Sequence, residues 1–376
     1  MSLIVQKYGG SSVADIRKLR LVAARVARTR STGASVVVVV SAMGNTTNEL
    51  LALARQVTET PGRRELDMLI SVGERVSMTL LAMALADLGV PARSFTGSQS
   101  GIVTDEHHAN ARVVEVRPER VREALNCGEV AIIAGFQGVS RQREVTTLGR
   151  GGSDTTAVVL AAALGADECE ICSDVDGIWS ADPRTVPGAR RIERLTVDEA
   201  LALAQNGAKV LYEEAVAWAQ REGVVIRASQ TDQPPGGGTV IAPASRDGAA
   251  PSSRIVAVTA DTQLARCGME HLDVLPGACI RFADASGVVV DLRNLHAPLS
   301  FLEPAASVAV IGSRVGCDPA LLKRIFEAAR AAGLENDVAF PWHAAADAVV
   351  FFVDPTRAAA LERSLHAALV SEARLS

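Results

Sequence analysis

Apolar residues come in short blocks of two kinds along the first two thirds of the chain. Residues 34–40 and 130–134 are nearly continuous apolar runs, as parallel strands covered on both faces require, while 3–7 and 168–173 read as further strands and 224–227 as the last strand of this part of the chain. Residues 92–96 and 113–116 read as shorter strands. Between them, apolar positions recur at helical spacing in 15–29 (Ile16, Leu19, Val22, Ala23, Val26), 48–57, 118–125, 157–164, 196–205 and 212–221. A longer helical pattern, 65–88, is interrupted at Ser71-Val72-Gly73-Glu74-Arg75. Residues 97–106 read as a loop and 139–147 as a small hairpin. The alternation of β and α predicts a three-layer α/β/α sandwich.

Stretches 230–238 and 242–253 are rich in turn residues and mark a boundary. The expected organisation is one domain over 1–241, a linker at 242–253, and a smaller region over 254–376. There, strand 308–311, helix 319–332, strand 348–353 and helix 355–370, with room for a strand at 337–340, suit a ferredoxin-like α+β module. Strand candidates at 255–258, 279–282 and 288–292 have no long helix among them, so that piece completes or pairs with the other.

Composition narrows the function classes. With 48% apolar and only 3% aromatic residues, the core is built from Ala, Val, Leu and Ile. A net charge of −5 and few aromatics argue against nucleic-acid binding through bulk charge or stacking. Six scattered cysteines and no signal-peptide pattern lead us to expect a reducing, cytoplasmic setting. No stretch is expected to span a membrane, and neither a membrane nor a nucleic-acid partner is expected. Cys169-Glu170-Ile171-Cys172 lies in a strand without nearby histidines and is not a redox or zinc motif. His107-His108 is expected to be a solvated loop.

Candidate chemistry concentrates at strand ends. Thr147-Leu148-Gly149-Arg150-Gly151-Gly152-Ser153-Asp154-Thr155-Thr156 runs straight into the apolar segment 157–164. Three glycines around an arginine mark a tight turn or a close approach, and Ser153 or Asp154 is suited to cap the helix that follows. Such a turn gathers backbone N–H groups and partial positive charge into an anion site. Arg150 adds a bidentate clamp for carboxylate or phosphate. Asp154 opposes a bound anion unless a cation or a transferring group lies between, which hints at phosphoryl transfer. The plainer alternative is a capped loop with a surface arginine.

Lys7-Tyr8-Gly9-Gly10-Ser11-Ser12 is a second strand–glycine–helix junction, phosphate-binding or merely structural, and matches neither a Walker loop nor a G-x-G-x-x-G turn. Ser41-Ala42-Met43-Gly44-Asn45-Thr46-Thr47 follows a buried strand, where open α/β sheets bind ligands. Ser41 and Thr47 fall where a substrate could be held; alternatively Thr46 or Thr47 only caps the next helix. Glu74 sits on a solvated edge or faces a cation such as an ammonium group. Charge is also dense in Asp174-Val175-Asp176-Gly177-Ile178-Trp179-Ser180-Ala181-Asp182-Pro183-Arg184, where Trp179 either flanks a base or acts as a hydrophobic lid.

Taken together, these segments resemble the amino-acid kinase superfamily and, within it, the aspartate kinases. The matching motifs are Lys7 to Ser12, Ser41 to Gly44 with Thr47, Ser71 to Glu74, and Gly149 to Asp154. Ser173 to Trp179 with Ala181-Asp182-Pro183, and Gly207-Ala208-Lys209-Val210-Leu211, follow in family order. The resemblance implies phosphorylation of the β-carboxylate of L-aspartate by ATP with Mg2+, at the entry to lysine, threonine, methionine and diaminopimelate synthesis. It implies that Lys7 and Lys209 hold the β- and γ-phosphates, that Gly9, Gly10 and Ser11 supply amides and a hydroxyl, and that Asp154 organises the lysines. Arg150 is then the clamp for the α-carboxylate and Glu74 the partner of the ammonium, with Ser41, Thr47 and Ser153 among the substrate-binding groups. Ser173, Asp174, Trp179, Asp182 and Arg184 border the nucleotide.

The chain departs from the family pattern in places. Tyr212-Glu213 stands where His-Pro is usual, and Ser173 where Thr is usual. Residues 307–370 resemble the second of two amino-acid-sensing ACT modules, but the first looks cut down, since Pro276-Gly277 leads to Ala278-Cys279-Ile280 without the usual long helix. Lysine or threonine feedback is therefore expected to be weak or lost, and a homodimer through the C-terminal region is expected. A kinase for a related amino-acid carboxylate, and a non-catalytic amino-acid-sensing subunit, are the competing readings.

Overall fold

In the computed structural model, which describes residues 2–208, 211–243, 253–275, 279–284, 287–295, 299–334 and 342–370, the valine runs become neighbouring strands. The first elements are β1 (Leu3–Tyr8), α1 (Ile16–Ser31), β2 (Ser35–Val40), α2 (Thr46–Val57), α3 (Arg63–Ile70), α4 (Val72–Asp87) and β3 (Ala92–Phe95). Next come β4 (Ile102–Thr104), β5 (Val113–Val116), α5 (Glu119–Asn126), β6 (Val130–Ala134), β7 (Gln137–Ser140) and β8 (Val145–Thr147). Then follow α6 (Gly152–Leu164), β9 (Glu168–Ser173), β10 (Arg194–Thr196), α7 (Val197–Gln205), α8 (Glu213–Glu222), β11 (Ile226–Gln230) and β12 (Thr239–Ala242).

Among the described residues, eight strands form a sheet in the order β10-β12-β11-β9-β1-β2-β6-β3. Its pairings are parallel except β11 with β12. Every residue of β6 is buried, which is why this strand reads as an unbroken apolar run. Leu19, Val22 and Val26 of α1 and Met78, Leu81 and Leu85 of α4 pack in one cluster with Val36, Val38, Val40 and Ile132. Leu81 is wholly buried, and truncating such a side chain costs about 2–5 kcal/mol. A second, four-stranded sheet has the order β5-β4-β7-β8.

Several expectations need correction. β4 lies inside the stretch expected to be a loop; its three residues are too few to show a period and are held by β5 and β7. β11 is not the last strand of the sandwich, because the chain turns back at Gly238 into β12. A side chain at Gly238 would place Cβ 2.0 Å from the Ala228 carbonyl oxygen, so only glycine allows that reversal. Helix α2 starts at Thr46 with Asn45 as its N-cap, so neither Thr46 nor Thr47 caps it. The run Arg63–Asp87 is long and apolar enough to cross a membrane by composition, contrary to expectation. It is two helices meeting at Ser71, and α4 turns its apolar residues into the core cluster.

The C-terminal elements are β13 (Ala257–Cys267), β14 (Ile280–Asp284), β15 (Gly287–Asp291), β16 (Glu303–Ile311), α9 (Pro319–Ala329), β17 (Trp342–Ala345), β18 (Ala348–Val353) and α10 (Pro355–Leu369). The expected strand at 337–340 lies outside the described residues. Among the described residues, six strands form an antiparallel sheet, β14-β15-β13-β16-β18-β17. Both helices begin with aspartate caps followed by proline: Asp318 accepts the Ala320 and Leu321 amides, and Asp354 that of Thr356.

The described residues divide into two compact units, those of 1–178, 193–197 and 210–243 in one and those of 179–192, 198–209 and 244–376 in the other. Within the second unit, Ser180 Oγ lies 2.8 Å from His366 Nε2, the Thr185 hydroxyl donates to Glu362 at 2.9 Å, and Arg254 pairs with Glu199 at 2.6 Å.

Candidate active site

Strand β1 ends in Lys7-Tyr8, and alternation sends the two side chains to opposite faces. Tyr8 enters the core, with no exposure. β1 lies between β2 and β9, with the strand that follows it, β2, on one side and the strands that follow β9 (β10, β11 and β12) on the other. This reversal of direction is where a crevice opens beyond the strands' carboxyl ends. Gly9 and Gly10 form the turn after β1. A Cβ at Gly9 would stand 3.5 Å from Lys7 Nζ, and one at Gly10 2.9 Å from the Ala42 carbonyl oxygen. The space beside the ammonium is thus left clear by the absence of a side chain. Ser12 Oγ lies 2.7 Å from Thr231 Oγ1, which donates to the Ser173 carbonyl at 2.9 Å, tying this turn to the end of β9.

Across the crevice, α6 begins at Gly152 with Gly151 as N-cap at φ +72°. No side chain caps it, so Ser153 and Asp154 are not caps as the sequence suggested; they lie in its first turn. A Cβ at Gly151 would lie 2.2 Å from the Tyr212 ring, so the left-handed turn and the close approach both require glycine here. Asp154 Oδ1 pairs with Lys7 Nζ at 2.6 Å, and their side chains are only 4% and 12% exposed. Arg150, at the turn's crest, is exposed and makes no hydrogen bond or ion pair among the described residues.

Glu74 is positioned by its neighbour. Gly73, in the first turn of α4, packs so tightly that a Cβ would fall 2.7 Å from Ala42 Cβ, which draws α4 onto the loop after β2. Glu74 is 3% exposed. Oε1 accepts the Ala42 amide at 3.1 Å, while Oε2 is buried without a partner among the described residues. Burial pushes its pKa up to about 7, although the backbone N–H bonds pull the other way. A buried carboxylate with an open oxygen on a cavity is suited to a cation.

These groups line one cavity of about 330 Å³. Of the residues singled out from sequence, Lys7, Gly9, Gly10, Ser41, Thr47, Glu74, Arg150, Ser153 and Asp154 are on its walls. The sequence reading did not assign Ala42, Gly44, Phe136 or Tyr212, which also line it. Phe136 carried a signal, since it follows the glycine that ends β6, and its φ of +67° is rare outside glycine. Ser11 is not on the walls; it is exposed, and its carbonyl accepts Lys18 Nζ at 2.8 Å. Ser173 and Asp174 stand at the end of β9, outside the walls of this cavity. Trp179, Asp182 and Arg184 belong to the second unit, where Asp182 and Arg184 pair at 2.6 Å. Lys209 lies outside the described residues. The Cys172 thiol is buried and pushed up to about 12, in keeping with an inert pair.

The model of the amino acid kinase family matches residues 2–228. The chain is 51% identical to an aspartokinase of Mycolicibacterium smegmatis over 280 residues, 74% of this chain and 66% of that protein. It therefore spans just under two thirds of that relative's length. It is 45% identical to an aspartokinase of Thermus thermophilus over 297 residues, 78% of this chain and 72% of the relative. Its fold matches the crystal structure of E. coli aspartokinase III in complex with aspartate and ADP, with a TM-score of 0.79, 23% identity, and coverage of 98% of this chain and 100% of that one.

Proposed function

We propose, from the premise that this chain belongs to the aspartokinases of the amino acid kinase family, that it transfers the γ-phosphoryl group of ATP to the side-chain carboxylate of L-aspartate, giving 4-phospho-L-aspartate and ADP. One observation carries the reading. A single cavity holds a closed Lys7–Asp154 ion pair together with an open Glu74 oxygen and an unengaged Arg150. The E. coli relative, solved with aspartate and ADP, supports it.

The acceptor carboxylate is already ionised at neutral pH, so the reaction needs no base. Positioning and charge neutralisation carry the catalysis instead. Lys7 draws negative charge from the transferring phosphoryl group, and Asp154 fixes the lysine's direction. The Gly9-Gly10 turn and the start of α6 present backbone donors to the phosphates. Arg150 clamps the α-carboxylate of aspartate, Glu74 Oε2 takes its ammonium, and Ser41, Thr47 and Ser153 orient the remainder. Lys209 would be the second phosphate cation by its family motif, and Ser11, Ser173 and Asp174 would border the nucleotide. Mg2+ would supply charge neutralisation on the triphosphate, and Asp154, the cavity carboxylate beside Lys7, would be the residue to hold it.

The C-terminal region serves homodimerisation, with weakened lysine or threonine feedback. Between β13 and β15 the described residues hold a short 3-10 helix, Met269–Val274, and no α-helix. ADP release measured with a panel of amino acids tests the reading. A response to aspartate alone is expected. Turnover of another amino-acid carboxylate in preference to aspartate would move the assignment to a related kinase, and no turnover with any would leave a sensing subunit.

A further inference from the structure

The loop expected to be solvated is so only in part. His107 is exposed, but His108 Nδ1 lies 2.7 Å from Oδ2 of Asp67. Asp67, on α3, has no exposure at all. Its carboxylate also takes the Ala109 amide, at 3.1 Å to each oxygen, and the Thr147 hydroxyl, at 2.6 Å. A carboxylate removed from water is tolerated only where donors replace its hydration. Here three residues from two separate segments do so, and none belongs to the cavity wall.

Each of these contacts leads to the turn that carries Arg150. Thr147 closes β8, just before Gly149, and its carbonyl accepts the Ala111 amide at 2.9 Å. Leu148 donates to the Phe136 carbonyl at 2.9 Å. Gly149 has a φ of +74°, and a Cβ on it would meet Asn110 Oδ1 at 2.6 Å. The 107–111 loop thus bears on one end of the turn, and Tyr212 lies against Gly151 at the other. The backbone beneath Arg150 is fixed on both sides while its side chain stays free. A flexible side chain clamps a carboxylate in one geometry only if its root does not wander.

We propose that Asp67, together with His108 and Thr147, is a positioning group that holds the Gly149–Gly151 turn and so aims Arg150 at the carboxylate of the amino-acid substrate. The inference rests on the role given to Arg150 above. It is tested on the full chain with D67N, T147V, H108Q and T147S, by two measurements. The first is steady-state kinetics in aspartate and in ATP; the second is hydrogen–deuterium exchange of residues 148–152 without substrate. The expected result for D67N and T147V is a KM for aspartate raised about 10-fold or more, a KM for ATP within about 2-fold, and faster exchange in the turn. H108Q shows the same pattern more weakly, and T147S, which keeps the hydroxyl, returns both readouts towards wild type. Equal KM for aspartate in wild type and T147V, with only a lower melting temperature, would overturn the proposal. If D67N does not fold, T147V with T147S decides the matter alone. If the wild type fails to turn over aspartate, the functional reading falls, yet the exchange data still judge the positioning. Faster exchange in T147V then sustains it, and unchanged exchange overturns it.

Discussion

Asp154 and Glu74 are both almost wholly buried on the walls of one cavity, and they are held in opposite ways. Asp154 is closed against Lys7 at 2.6 Å before any ligand arrives. Glu74 spends one oxygen on a backbone amide and leaves the other without a partner. Removing one member of a buried pair leaves the other uncompensated, typically at about 3–5 kcal/mol. A buried carboxylate without a counter-charge drifts towards protonation instead, as the pKa of about 7 records. The difference separates two tasks. Under the proposed function, the wall where charge would move is assembled in advance, and the wall where the substrate would dock is left incomplete so that the ligand's own charge completes it.

Breaking the closed wall is expected to have the largest effect. Lys7→Ala and Asp154→Ala should each lower kcat by about 10³-fold or more in a coupled ADP assay. Retention of more than about a tenth of wild-type kcat by both would mean that the pair is structural. Next comes the open wall: Arg150→Ala should raise the KM for aspartate by about 10²-fold, since a bidentate clamp is lost. An unchanged KM would remove the clamp from the account.

Glu74 sharpens the comparison through pH. Ammonium binding needs its ionised form, so kcat/KM for aspartate should fall as pH drops through about 7 and flatten above it. Its stability contribution has the opposite sense. The folded-state pKa lies above the ordinary 4.5, so the folded chain holds this proton more tightly than the unfolded one. Stability is therefore least penalised below pH 4.5 and falls as pH rises towards 7. Glu74→Gln should weaken aspartate binding yet raise stability at pH 8 by up to ~3 kcal/mol, read from urea unfolding at several pH values. A variant less stable than wild type at pH 8 would show that the carboxylate is not carrying that cost. The smallest effect concerns the C-terminal region. Lysine or threonine at millimolar levels should change the aspartate-dependent rate by less than about 2-fold, and strong inhibition by either would restore an intact sensing module.

The sandwich was legible because strands buried on both faces cannot hide their composition; 36–40 and 130–134 are apolar at every position. The strands that escaped, β4, β10 and β12, have three or four residues each and take their conformation from neighbours rather than from a period. Lys7, Glu74 and Asp154 stood out as charges beside glycines in apolar surroundings. Tyr212 did not, because an aromatic residue at the start of a helix reads as packing, and its place on the cavity depends on Gly151 from a distant segment. Asp67 was illegible for a similar reason. One carboxylate in Leu66-Asp67-Met68-Leu69 resembles a solvated helix face until β8 and the 107–111 loop are folded over it.

The route of the backbone through the two units has a practical corollary. The polypeptide leaves the first unit after residue 178, re-enters at 193, departs again after 197 and comes back at 210. A truncation ending near residue 241 would keep both excursions but discard their partners, leaving Ser180 without His366 and Glu199 without Arg254. The halves are woven rather than strung. Swapping tails between relatives by cut and paste would therefore require recoding both excursions at the same time.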